Sequence, residues 1–174
     1  MTSSQTVHSP RPDTYHTPSH VIKPLVPVRR RIGQGEWEDV DQLVYKEEGY
    51  GAAFKSITRR ILFDSNAGQG NQVRYFEVAA GGWSTFEHHQ HTHQVIIYRG
   101  SGTAVVGHQQ QHVSEGDLIF VNSGEWHQFI ASDEGPLGFI CIVTAERDHP
   151  VQPTQSQLED LYAKNPELKG VIHA

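Results

Sequence analysis

Four of the chain's twelve histidines fall within six residues, in Glu87-His88-His89-Gln90-His91-Thr92-His93, and His127 follows beyond two turns. Neutral imidazole and carboxylate together suit a divalent transition metal such as Fe, Mn, Ni, Cu or Zn. A solvated loop has little use for so much imidazole. In a regular strand, residues two apart point the same way, so Glu87, His89, His91 and His93 share one face and His88 shows the other. Fully extended, the four span about 20 Å, too far for one ion. A metal therefore takes two neighbours, gains a third only where a bend or bulge brings the chain back, and reaches His127 on another strand.

The elements that must position these groups are short and rich in β-branched and aromatic residues. Segments of strand character run Ile57 to Phe63, Val73 to Val78, Val95 to Tyr98, Thr103 to Val106, Gln111 to Val113, Leu118 to Val121, Trp126 to Ile130 and Leu137 to Val143. Ala79-Ala80-Gly81-Gly82 and Arg99-Gly100-Ser101-Gly102 read as separators or turns, and Gly107-His108-Gln109 as a hairpin. Many short strands with glycine-bearing turns predict an all-β sandwich or barrel. Thr154 to Tyr162 reads as a helix. Thr154 with Gln157, or Ser156 with Glu159, has capping-box spacing, and Pro166 ends it. The predicted division is an N-terminal arm over 1–50, a barrel over 51–148 and a tail with a short helix over 149–174. Prolines at 10, 12, 18, 24 and 27 deny the arm a regular helix, and His8, His16 and His20 read as solvated.

Two spacings resemble the motifs of the cupin family. Counting back from Gly100, His93 stands at the family's glutamate, His89 at its second motif histidine and Glu87 at its first. In the second motif Gly116, Gly124 and His127 match, while Asn122 replaces a proline and Ala131 an asparagine. The resemblance covers roughly residues 57–145. It implies a cupin-type jelly-roll β-barrel, to which composition and capping signals add an extended N-terminal arm and a short C-terminal helix. It also implies a ligand set of Glu87, His89, His93 and His127, with glutamate and histidine exchanged relative to the family pattern. His91 is the rival ligand, replacing Glu87 in a four-histidine site, or else a group beside the metal. His88 faces away, and His108 and His112 read as surface residues.

If His127 points inward, so does Phe129 by strand parity. Phe139 and Cys141 become cavity walls by the resemblance. Arg74, if inward, anchors a substrate carboxylate or enolate. Trp83 and Trp126 pack at the barrel mouth or a subunit contact. Glu87 doubles as a base, so Glu87 and Arg74 are the candidate catalytic pair. This combination leads to a metal-dependent dioxygenase, with Fe(II) as first choice, acting on a small enolisable or aromatic substrate. The alternatives are a non-oxidative ligand-binding cupin and a metal-dependent isomerase or lyase.

Composition narrows the partners. The chain has 174 residues, 36% hydrophobic, and a net charge of −6; the pI is near 6.0 and mean hydropathy −0.52. That suits one domain and offers no broad basic face for nucleic acid. Arg29-Arg30-Arg31 reads as part of the arm or an oligomer contact. The single cysteine, Cys141, excludes an internal disulfide, and no segment has the apolar length of a membrane span. The expectation is a cytoplasmic protein binding a small molecule, with no nucleic acid and no membrane partner. The apolar stretch Val21 to Val28 points to a homodimer in which the arm lies on the other subunit.

Overall fold

The computed structural model describes residues 25–46, 53–65, 68 and 70–174. Expectations for His8, His16, His20 and Val21 to Pro24 lie outside the described residues. Among the described residues ten strands and one α-helix follow in order: β1 (Arg31–Gly33), β2 (Glu36–Trp37), β3 (Leu43–Val44), β4 (Lys55–Phe63), β5 (Asn71–Trp83), β6 (His93–Val106), β7 (Gln109–Ser114), β8 (Leu118–Val121), β9 (His127–Ala131), β10 (Leu137–Thr144) and α1 (Gln155–Lys164). The first two strands pair with each other, and the other eight form one sheet. That sheet closes because β10 pairs with both β5 and β6, and β9 also pairs with both. The result is a jelly-roll barrel.

Alternation fills it. Val95 and Ile97 of β6, Phe129 and Ala131 of β9, and Leu137, Phe139, Cys141 and Val143 of β10 point into one core with Phe76 and Val78 of β5. These positions are two apart along each strand, as a half-buried sheet requires.

Two glycine-rich stretches expected to separate or turn the chain do neither. β5 runs unbroken through Ala79-Ala80-Gly81-Gly82, and β6 through Arg99-Gly100-Ser101-Gly102. Both are corners where a strand changes partner. β6 leaves β10 at Gly100, just after a register shift between Ile97 and Arg99, and takes up β9 from Gly102. A Cβ on Gly102 would lie 2.1 Å from the Ile130 carbonyl oxygen, and Gly100 has φ 71°. Only glycine permits that approach and that backbone. The hairpin at Gly107-His108 forms as expected, with Val106 facing Gln109.

Residues 31–44, assigned to the arm from sequence, carry β1 to β3. Trp37 packs edge-on against Tyr75 of the barrel, with ring centroids 5.2 Å apart. α1 starts at a Thr154 cap with the Thr154–Gln157 capping box, the first of the two expected pairs. Asn165 ends it, and Pro166 opens a short 3-10 turn. The tail then packs on the outside of the barrel, where Phe86, Val105, Leu168 and Ile172 make a second core.

Candidate metal centre

After Trp83 the chain continues antiparallel to β9. Ser84 N–H donates to the Phe129 carbonyl, and Glu87 and His127 exchange both backbone hydrogen bonds. Paired residues face the same way, so Glu87 and His127 both enter the cavity. His88 then points outward, its ring 4.3 Å from Trp126 and its backbone paired with Val151. Residues 89–92 leave the ladder in a bend before β6 begins at His93. That bend is what one face of a regular strand could not supply. It folds His89 back over His93, with ring centroids 4.3 Å apart, and His127 lies 4.8 and 5.2 Å from the two.

One ligand nitrogen from each of His89, His93 and His127 lies within 4.8 Å of the others, and all three residues are buried. The ring of His89 donates from Nδ1 to the His91 carbonyl at 2.8 Å, and that of His127 to the Glu125 carbonyl at 3.0 Å. Those bonds fix the tautomer and leave Nε2 as the lone-pair nitrogen. The Nε2 atoms of His89 and His93 are buried without a partner. Orphaned buried acceptors are rare unless something is meant to fill them. Burial, then the neighbouring His127, pushes the His89 pKa down to about 3. Burial likewise pushes His93 well below its usual range and depresses His127, with Glu87 opposing. At neutral pH all three are neutral bases. Nitrogens bound at about 2.1 Å around a tetrahedral ion lie about 3.4 Å apart, so side-chain movements of roughly an ångström bring them onto one ion. The set is compatible with a divalent metal ion.

Glu87 enters the cavity but lies outside this convergent set; its Oε2 meets the ammonium of Lys46. His91 lies on the cavity wall. Its ring stacks on His89 at 3.7 Å, and its Nδ1 pairs with Asp148 at 2.7 Å. The wall includes Arg74, Phe129, Phe139 and Cys141, all of them sequence candidates, together with Tyr45, Lys46, Arg59, Phe76, Arg147 and Asp148. Arg74 therefore faces inward, donating from Nη2 toward Cys141 Sγ at 3.5 Å. Burial pushes the Cys141 thiol up against the opposing pull of Arg74. Lys46 and Asp148 were missed because they sit in segments without motif spacing. A lysine just after Leu43-Val44-Tyr45 was the only signal for the first. Trp83 and Trp126 pack within the chain: Trp83 stacks on His173 at 3.8 Å, and Trp126 on Phe86 at 5.4 Å. His108 and His112 are exposed as expected. No helix among the described residues is long and apolar enough to cross a membrane.

Comparison with known proteins agrees with this architecture. Residues 74–143 match the model of the Cupin domain. The 1-methylthio-D-xylulose 5-phosphate methylsulfurylase of Rhodospirillum rubrum is 47% identical over 137 residues, covering 79% of this chain and 86% of that protein. A cupin 2 conserved barrel domain protein from Rhodopseudomonas palustris aligns at 38% identity and TM-score 0.77, over 84% of this chain and 99% of that one. A cupin-2 domain protein from Rhodospirillum rubrum aligns at 43% and 0.73, over 87% and 100%. With its closed barrel and three-histidine cluster, the chain belongs to the cupin family.

Proposed function

We propose that the chain is a metal-dependent enzyme working without dioxygen on a carbonyl substrate, of the kind named for its Rhodospirillum rubrum relative: a phosphorylated 1-methylthio-ketose. The observation that carries the reading is the trio of buried, neutral imidazoles with nitrogens turned to one point. The relative's name then favours the isomerase or lyase alternative over the oxygenase that the ligand types first suggested.

A divalent ion held by His89, His93 and His127 would supply Lewis acidity toward a ketone oxygen. In such a ketose the methylthio group sits on the carbon beside the carbonyl. When that C–S bond breaks with its electron pair left on carbon, the pair spreads onto the carbonyl oxygen, and the methylsulfur fragment passes to a thiol acceptor as a disulfide. The carbon then needs a proton. Cys141, held as a thiol by burial, is a proton source on the cavity wall. Glu87 stands beside His127 as the base that takes the proton of the acceptor thiol; released from Lys46, its carboxylate is the fourth ligand expected from sequence. Phe129 and Phe139, 4.6 Å apart, exclude water from the floor. Manganese, nickel or zinc meets this non-redox demand as well as iron.

The test is turnover by protein loaded with each metal, with a small thiol present, under air and under argon. Loss of the methylthio group at equal rates in both supports the reading. Oxygen uptake on diketones without loss of that group would return the oxygenase, and inactivity on both substrates overturns the enzymatic reading.

A further inference from the structure

The C-terminal tail and the histidine cluster lie on opposite faces of the same two strand segments. Residues 84–88 run antiparallel to β9, and on the cavity face this pair presents Thr85, Glu87, His127 and Phe129. The residues between them, Phe86 and Gln128, face outward, as alternation requires. Val105 of β6 stands opposite Gln128 on that outer face. Leu168 and Ile172 of the tail pack there against Phe86 and Val105.

Gln128 lies at the centre of this contact. It is fully buried, and its amide makes three hydrogen bonds. Nε2 donates to the Ser84 carbonyl at 2.8 Å and to the His173 carbonyl at 2.7 Å, and Oε1 accepts the His173 N–H at 2.9 Å. One side chain thus ties together the segment that leads to Glu87, the strand that begins at His127, and the end of the tail. Ser84 closes the same join: its N–H donates to the Phe129 carbonyl, and its Oγ accepts from the Phe129 N–H, both at 2.9 Å. An apolar residue at 128 could fill the space between Phe86, Val105 and Ile172, but it would lose all three bonds.

His127 needs such a hold because it reaches the cluster from its own strand. His89 and His93 belong to one bend, with rings 4.3 Å apart. Any slide or rotation of β9 against residues 84–88 would carry the His127 nitrogen away from theirs. Gln128, the next residue, resists both motions, since its bonds cross the join and enter the tail.

We infer that Gln128 is a positioning residue for the metal centre, and that docking of the tail and binding of the metal strengthen each other. The inference rests on the three-histidine centre and not on the reaction proposed above. Such coupling is reciprocal: the factor that tail docking adds to metal affinity is the factor that metal adds to tail docking. A tail that only covered apolar surface would stabilise the barrel without that link.

The experiment uses cobalt(II), whose visible absorption reports its ligand geometry, with affinity read by chelator competition. Gln128→Leu is expected to bind cobalt about tenfold more weakly, at a temperature where the variant is fully folded, and to show an altered spectrum. Ending the chain after Gly170 removes Ile172 and His173 and should give the same two changes, so the result does not depend on the folding of one variant. His173→Ala keeps the backbone groups that Gln128 holds and should bind cobalt as the wild type does. In the wild-type protein, cobalt should slow deuterium exchange at the His173 amide by the factor that truncation takes from the affinity. Unchanged cobalt affinity and spectrum in both variants, with only Tm lowered, or a His173 amide indifferent to cobalt, would make the tail a mere cover and overturn the inference. A loss in His173→Ala as large as in Gln128→Leu would assign the effect to the stack on Trp83 and overturn Gln128 as the positioning group. No cobalt binding by the wild type would remove the metal centre and this inference with it. Gln128-dependent cobalt binding in a protein inactive on the methylthio-ketose would sink the reaction alone.

Discussion

At the scale of single residues, the site is a set of polar groups whose partners are far apart in sequence. His89, His93 and His127 were legible because each stands at a spacing with a geometric consequence. Lys46 was not, because nothing in its own neighbourhood announces that it will meet Glu87 across 41 positions. The pair sits where little water reaches it, with side chains 8% and 10% exposed. Removing one member of a buried pair strands the other and typically costs about 3–5 kcal/mol, while replacing both with apolar groups is often neutral. Lys46→Met, which strands Glu87, should therefore destabilise the metal-free protein by about 3 kcal/mol in urea titrations, and adding Glu87→Leu should recover most of that loss. Additive losses in the double variant would show that the two side chains do not depend on each other.

At the scale of elements, the loop 89–92 decides whether three imidazoles meet. Strand parity alone could say that a bend was needed, and not what would hold it. The holder is Asp148, which follows β10. Its carboxylate accepts from the N–H of Gln90 at 2.7 Å and of His91 at 3.2 Å and pairs with the His91 ring. These bonds keep its pKa low, at about 2, against the opposing effect of burial. The His91 carbonyl in turn orients His89. Groups that orient metal ligands are worth about 10–100-fold in metal affinity. Asp148→Ala should lose that factor in a chelator competition, and the amides of Gln90 and His91 should exchange faster with deuterium while those of β10 keep their protection. Unchanged affinity would mean that the bend holds itself. The glycine stretches at 79–82 and 99–102 carry the complementary lesson. Glycine marks where backbone is free or crowded, and sequence alone does not distinguish a turn from a corner where one strand passes closely over another.

At the scale of the whole molecule, the barrel encloses the histidines, and the tail seals its outer face. Gln128, fully buried, donates to the Ser84 and His173 carbonyls at 2.8 and 2.7 Å and accepts the His173 N–H at 2.9 Å. The barrel was readable from strand spacing. This clasp was not, because its contacts join residues 45 apart with no shared pattern. Enclosure also sets how stability responds to acid. In the unfolded chain each histidine titrates near 6.5, whereas burial holds His89 down to about 3 and His93 and His127 below their usual value. Below pH 6.5 the unfolded state therefore binds protons that the native state refuses, and stability falls with pH. A fully shifted histidine loses about 0.4 kcal/mol from pH 7.5 to 6.5, about 1 kcal/mol from 6.5 to 5.5, and about 1.4 kcal/mol per unit only at lower pH. His89 and His93 together cost about 2 kcal/mol between pH 6.5 and 5.5 in metal-free protein, and the depressed His127 adds to the loss. Asp148 adds to the loss only below about pH 5, where its unfolded form begins to take a proton. Urea titrations with chelator at pH 7.5, 6.5 and 5.5 should show a small loss over the first interval and one about threefold larger over the second. A flat profile down to pH 5 would mean that water reaches the rings and keeps them protonatable in the folded state. In that case the neutral, lone-pair-bearing nitrogens on which the metal site depends would not be maintained by the barrel.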